Sequence, residues 1–151
     1  MKNILIIGSS GKIGKHIYNL LINSFSIYTL NQNLDIKSDF QYDFKLMKGD
    51  LSGLKKIKFD YIINCAGLLP SSNANKKEFY SVNSNIFDVL YKFLDKKVCF
   101  IQLSTISVYG ESILERPICE EDKTFPKNTY AKSKLDGEKK CNFFFKNNYI
   151  F

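Results

Sequence analysis

The chain has 151 residues, 44% of them hydrophobic, and a net charge of +7. That length suits one domain, and the apolar fraction supports a core, which excludes a compositionally disordered chain. Arg116 is the single arginine and the lysines are scattered, in pairs such as Lys55-Lys56 and Lys96-Lys97; the expectation is a solvated lysine surface and no nucleic-acid partner, since base and phosphate readers favour the bidentate arginine fork.

Cys65, Cys99, Cys119 and Cys141 show no C-x-x-C spacing, and His16 is the only histidine. Neither a metal site nor a disulfide framework is expected. Cys65 and Cys99 read as small buried hydrophobes in strands, which fits a reducing cytosol, and His16 as a helix-surface or packing residue. The N-terminus carries no signal-peptide pattern, and no run of about 18 apolar residues exists. A cytoplasmic protein with no membrane partner is expected.

Ile4-Leu5-Ile6-Ile7 is a continuous aliphatic run ending at a glycine, the pattern of a strand buried on both faces. Ile13, Ile17, Leu20 and Leu21 follow at helical spacing. Residues 27–30 read as a second strand, 31–43 as polar and irregular, and 44–47 as a short third strand. Residues 61–64 form a fourth strand closing at Ala66-Gly67. From Phe79 to Phe93 apolar residues recur every three or four positions, which predicts one long amphipathic helix. A fifth strand covers 98–103, a loop 110–129, and a last helix about 129–146. Asn148-Tyr149-Ile150-Phe151 opens a sixth strand. Strand and helix alternate, so the expected fold class is α/β: a Rossmann-like, doubly wound parallel sheet with helices on both faces, forming one domain over residues 1–151.

Three stretches carry chemistry. The first is Gly8-Ser9-Ser10-Gly11-Lys12-Ile13-Gly14, between the first strand and the first helix. Glycines at this spacing give a tight turn, close backbone approach to a pyrophosphate, and close helix–strand packing, with the helix N-terminus facing the negative charge. Asp50, after the third strand, can accept from an adenine amino group or cap a helix. Dinucleotide sites often hold both ribose hydroxyls with an acid at the end of the second strand; here stand Asn31-Gln32-Asn33, with Asp35 beyond. A neutral Asn31 does not repel a 2′-phosphate and Lys12 can pair with one, so the balance favours NADP over NAD.

The second and third are Ser104-Thr105-Ile106-Ser107-Val108-Tyr109-Gly110 and Tyr130-Ala131-Lys132-Ser133-Lys134. Tyr130 and Lys134 are four apart on a predicted helix and share a face. A free phenol has a pKa of about 10, and an acid–base role near neutrality asks for about 4 kcal/mol of stabilisation of the phenolate, which a nearby ammonium can supply. Thr105, at the C-terminal end of the fifth strand, can bond the same substrate oxygen; Ser104 and Ser107 are its rivals.

These residues resemble the extended short-chain dehydrogenase/reductase superfamily, in its nucleotide-sugar epimerase/dehydratase branch. The matching pieces are residues 8–14, Gly49-Asp50-Leu51, Asn64-Cys65-Ala66-Gly67, Val82-Asn83, residues 103–110 and 130–134, in family order. The resemblance implies NAD or NADP as cofactor and a nucleotide sugar as substrate. It places Lys12 and Ile13 against the pyrophosphate, Asp50 and Leu51 around the adenine, and Cys65, Ala66 and Gly67 along the cofactor, with Asn83 supporting the site. It makes Thr105 the contact to the reacting sugar oxygen, Tyr130 the acid/base and Lys134 the holder of the nicotinamide ribose. Gly8, Ser10, Gly11, Gly14 and Asn31 complete the candidate cofactor set.

Ile106 and Ser107 stand where the family's 4,6-dehydratases carry Asp-Glu, which points to epimerisation or ketone/alcohol redox. Ile86 and Phe87 replace a common Gly-Thr. Family members are longer, so the expectation is a chain truncated before the substrate-binding part. They are often dimers through helices resembling 76–95 and 130–146. The alternative is an NAD(P)-binding module without turnover.

Overall fold

The computed structural model describes residues 1–32, 37–110 and 116–151. Asp35 and part of the 110–129 loop lie outside the described residues. Six strands form one sheet in the order β3-β2-β1-β4-β5-β6: β1 Asn3–Ile7, β2 Ser26–Asn31, β3 Phe40–Gln41, β4 Tyr61–Asn64, β5 Cys99–Gln102 and β6 Asn147–Ile150. Every pairing is parallel, with Ile4 opposite both Ile27 and Tyr61, and Phe100 opposite Asn148.

Alternation along β1 distributes its side chains to two faces. Ile4 and Ile6 join Ile63 beneath α1 (Lys12–Leu21), packed by Ile17 and Leu21. Leu5 and Ile7 face the larger cluster with Leu30, Ile62, Phe87 and Phe100. That second face is covered by α3 (Ile86–Leu90) and α4 (Thr129–Phe144), with α2 (Lys76–Tyr80) packed against α4. The doubly wound Rossmann-like architecture is therefore present, with helices on both faces. Among the described residues no helix is long and apolar enough to cross a membrane.

Three boundaries differ from the sequence reading. The third strand is Phe40–Gln41, inside the stretch read as irregular, and not 44–47. The Asp43 carboxylate accepts from the backbone N–H groups of Lys45 and Leu46, both at 2.9 Å, and Asp43 bridges Lys48. That local bonding outcompetes extension and folds 44–47 into a turn, with Met47 at φ 53°. The long helix is divided by a π-helical segment, Ser81–Asn85, and its regular part ends at Leu90. The last helix stops at Phe144, because Asn147 already pairs with Cys99. Cys65 and Cys99 are half-buried; the fully buried thiol is Cys141.

Candidate functional site

Gly8 has φ +78°, and a Cβ there would lie 2.8 Å from the Ala66 backbone nitrogen. A Cβ on Gly14 would lie 2.2 Å from the Gly8 carbonyl oxygen. These two glycines bring β1, the β4 end and α1 together. At Gly11 a Cβ would meet only the Gly8 carbonyl oxygen, at 3.4 Å, so its outer side is open. Gly11 is also the N-cap of α1 and offers no side-chain acceptor. The first-turn N–H groups of α1 thus face outward at the positive end of a helix, beside exposed Lys12 and Ser10. This geometry fits the phosphates of a dinucleotide. Ile13 is exposed on the same turn.

Asn31 is buried and braces this loop. Its Oδ1 accepts from the Ser10 N–H at 3.0 Å, and its Nδ2 donates to Ser9 Oγ at 2.8 Å. An amide supplies a donor and an acceptor to the loop; a carboxylate supplies acceptors only. Beside it a groove of about 530 Å³ is lined by Ser9, Ser10, Lys15, Thr29, Lys37 and Asp39. Asp50 caps the turn Ser52–Lys56, accepting from the Ser52 N–H and hydroxyl, and these bonds hold its carboxyl below the usual range. Leu51 is buried in the core.

The proton-transfer candidates gather where β4 and β5 end and α4 begins. Asn128 caps α4, accepting from the Ala131 N–H at 2.8 Å. Tyr130 therefore sits in the first turn, at the positive end of the helix, its ring edge against Phe79 with centroids 6.3 Å apart. One turn on, Lys134 is 6% exposed. Its ammonium donates to the Leu103 carbonyl oxygen. Among the described residues it makes no ion pair within 4 Å. Burial lowers its pKa from 10.5 to about 8, with Glu138 and Cys65 pulling the other way. Burial pushes the Cys65 thiol up to about 11, against the pull of Lys134.

Gly67 is placed so that a Cβ would come within 3.3 Å of Asn83 Oδ1 and 3.7 Å of the Lys134 Nζ. Asn83, in the π segment, accepts from the Leu68 N–H at 2.9 Å and donates to Ser133 Oγ at 2.9 Å. It ties the β4 loop to α4. π-Helical turns often sit at functional sites. Gly137 permits the close contact, since a Cβ there would lie 2.2 Å from the Asn83 carbonyl oxygen.

Thr105 starts the short turn Ile106–Tyr109; its hydroxyl donates to Ser107 Oγ at 3.2 Å and accepts from the Ser107 N–H at 3.3 Å. Ser104 is engaged elsewhere, its hydroxyl bonded to Glu138. A cavity of about 460 Å³ opens here, lined by Ser104, Thr105, Tyr109, Glu120, Glu138 and Phe151. His16 is on the exposed surface of α1.

Sequence reading passed over Gln102 and Glu138. Gln102 is a buried amide that accepts from Asn64 at 2.7 Å and donates to the Leu103 carbonyl oxygen at 2.7 Å. Its signal was a polar residue inside the apolar run 98–103. The signal for Glu138 was its place four residues after Lys134, on the same helix face.

The comparisons with known proteins agree with this fold. A family model described as the RmlD substrate binding domain matches residues 1–151. UDP-glucose 4-epimerase of Pisum sativum is 30% identical over 162 residues, covering 89% of this chain and 45% of that protein. The structure of UDP-glucuronic acid 4-epimerase from Bacillus cereus, in complex with UDP-glucuronic acid and NAD, is 25% identical with a TM-score of 0.74, covering 98% of this chain and 55% of that one. The structure of dTDP-4-dehydrorhamnose reductase from Bacillus anthracis in complex with NADP has a TM-score of 0.77 at 21% identity, covering 99% and 52%. The chain spans about a quarter to a half of the length of the curated relatives it matches. It belongs to the RmlD substrate binding domain family, of short-chain dehydrogenase/reductase type, and the relatives it matches are nucleotide-sugar epimerases, dehydratases and reductases.

Proposed function

We propose that this chain is the dinucleotide-binding and proton-transfer part of an NAD(P)-dependent nucleotide-sugar epimerase or reductase. The observation that carries the reading is Lys134: a buried lysine held by a backbone carbonyl, beside Gly67 and one turn from Tyr130. Burying a lysine without an ion pair costs several kcal/mol, and a site that needs the ammonium accounts for that cost.

The nicotinamide supplies hydride acceptance and donation when bound. The chain's own residues would do the rest. The glycine loop and the α1 N-terminus hold the pyrophosphate, with Lys12 and Ser10 at its edge; Gly67 leaves room for the ribose near Lys134. Tyr130 exchanges the proton of the reacting hydroxyl through its phenolic oxygen. The Lys134 ammonium, one turn on, and the positive end of α4 favour negative charge developing on the reacting substrate oxygen. Thr105 would turn its hydroxyl from Ser107 Oγ, a 3.2 Å bond, to donate to the same substrate oxygen. Ser104 is the weaker candidate for that task, because its hydroxyl is committed to Glu138.

NADP is the favoured cofactor. Asn31 brings no charge against a 2′-phosphate, and Lys15 and Lys37 line the adjoining groove, where the Asp39 carboxylate is turned to the Thr29 N–H and hydroxyl. The similarity to the Bacillus cereus epimerase, whose structure holds NAD, supports the other choice. A second reading is a dinucleotide-binding module without turnover.

The test incubates the chain with NAD⁺ or NADP⁺ and a UDP- or dTDP-hexose, following product by NMR. Turnover that Tyr130→Phe lowers by about 10²-fold or more, with cofactor binding retained, supports the enzyme reading. Cofactor binding without turnover in the parent chain supports the module.

A further inference from the structure

Glu138 belongs to none of the roles given above, yet it is half-buried and lines the cavity that Ser104 and Thr105 line. It lies one helical turn beyond Lys134 on the same face of α4, as Lys134 lies one turn beyond Tyr130. From the sheet side, the Ser104 hydroxyl bonds its carboxylate and so fixes it against the end of β5, next to Thr105. A glutamate with no role would turn to solvent, because a half-buried carboxylate costs free energy unless it is bonded and opposed by charge.

The groups facing this pair can be named. Around Glu138 stand Ser104 from β5's end, Lys134 and Lys139 from α4, and, feeling its charge, Tyr109 and Cys141. Glu120 lines the same cavity. Around Lys134 stand Cys65 from the β4 end, Glu138, and the Leu103 carbonyl oxygen. Lys139 is exposed. Cys65 is held as a neutral thiol by burial. Glu138 is therefore the one carboxylate set to oppose the Lys134 charge within the described site.

We propose that Glu138 is a positioning residue of the proton-transfer site: its carboxylate, fixed by Ser104, is the counter-charge that keeps the buried Lys134 an ammonium at neutral pH. Burial works against both charges, lowering the lysine's proton affinity and raising the glutamate's, and each opposes that loss in the other. Without the carboxylate, Lys134 sheds its proton near neutrality and the positive field at Tyr130 is lost. The inference rests on Lys134 being a site residue and not on turnover.

The experiment titrates the lysine side chains of the chain by NMR, with ¹³C label at Cε and no cofactor or substrate, assigning Lys134 by its loss in Lys134→Met. In the parent chain Lys134 titrates near pH 8. Glu138→Gln keeps an acceptor for Ser104 and removes the charge; it lowers the Lys134 midpoint by about one pH unit or more. Lys139→Gln, which changes an exposed charge, leaves it in place. Ser104→Ala, which frees the carboxylate to leave, lowers it by less than Glu138→Gln and serves if the latter fails to fold. An unmoved midpoint in whichever of the two carboxylate-site variants folds overturns the proposal. That outcome leaves the catalytic reading intact, which is decided separately by Tyr130→Phe turnover.

Discussion

Lys134 and Gln102 donate to one acceptor, the carbonyl oxygen of Leu103. Gln102 in turn accepts from Asn64, whose Oδ1 receives the Ala66 N–H at 3.1 Å. A buried polar line thus runs from the β4 loop across the sheet to the site lysine. Such networks rigidify a site when every member is satisfied. Among the described residues no buried side-chain nitrogen or oxygen lacks a partner.

Gln102→Leu breaks this line in the middle. The Asn64 amide loses its acceptor, which costs about 1–3 kcal/mol. Urea unfolding of the variant shows that loss, and amide exchange at Ala66 quickens beyond what the global change explains. A loss under about 0.5 kcal/mol, with Ala66 unaffected, would show that the line has no mechanical role.

Stability depends on pH in two opposed ways. Lys134 titrates near 8 in the folded chain and at 10.5 ordinarily. Between these values the unfolded chain holds a proton that the folded chain has released, so stability rises with pH, by at most about 3 kcal/mol. Cys65 and Cys141 are displaced upward by burial, to about 11 and about 12 from 9. Above pH 9 their unfolded thiols ionise first, so stability falls. Thermal unfolding across pH 7–11 then peaks near pH 9. Lys134→Met abolishes the rise from 8 to 9 and keeps the fall above it.

Gly14→Ala places a methyl group 2.2 Å from the Gly8 carbonyl oxygen, where only backbone can yield. The expected destabilisation is about 2–3 kcal/mol. Gly11→Ala, whose methyl would meet a single atom at 3.4 Å, leaves stability within about 1 kcal/mol and weakens dinucleotide binding instead. Denaturation curves and calorimetry on the two variants separate the packing glycine from the binding one.

Most of the sheet was legible because its strands are continuous apolar runs buried on both faces, as at residues 4–7 and 61–64. The third strand was not. Phe44 and Met47 are apolar because they enclose the core from a turn that Asp43 holds by hydrogen bonds, and periodicity cannot distinguish that from a short strand. Tyr130, Lys134 and the glycines stand out in sequence because their spacing is local. Gln102, Ser133 and Glu138 do not, since their partners are Asn64, Asn83 and Ser104, which only the fold brings near.

The central claim is that the glycine loop at the end of β1 holds a nicotinamide dinucleotide. Calorimetry of NAD⁺ and NADP⁺ on the purified chain, beside Gly11→Asp, tests it most directly. The account predicts binding in the micromolar range, tighter for NADP⁺, and abolished when a carboxylate faces the pyrophosphate. Absence of binding to a chain whose circular dichroism shows it folded, or binding that Gly11→Asp leaves unchanged, would contradict it.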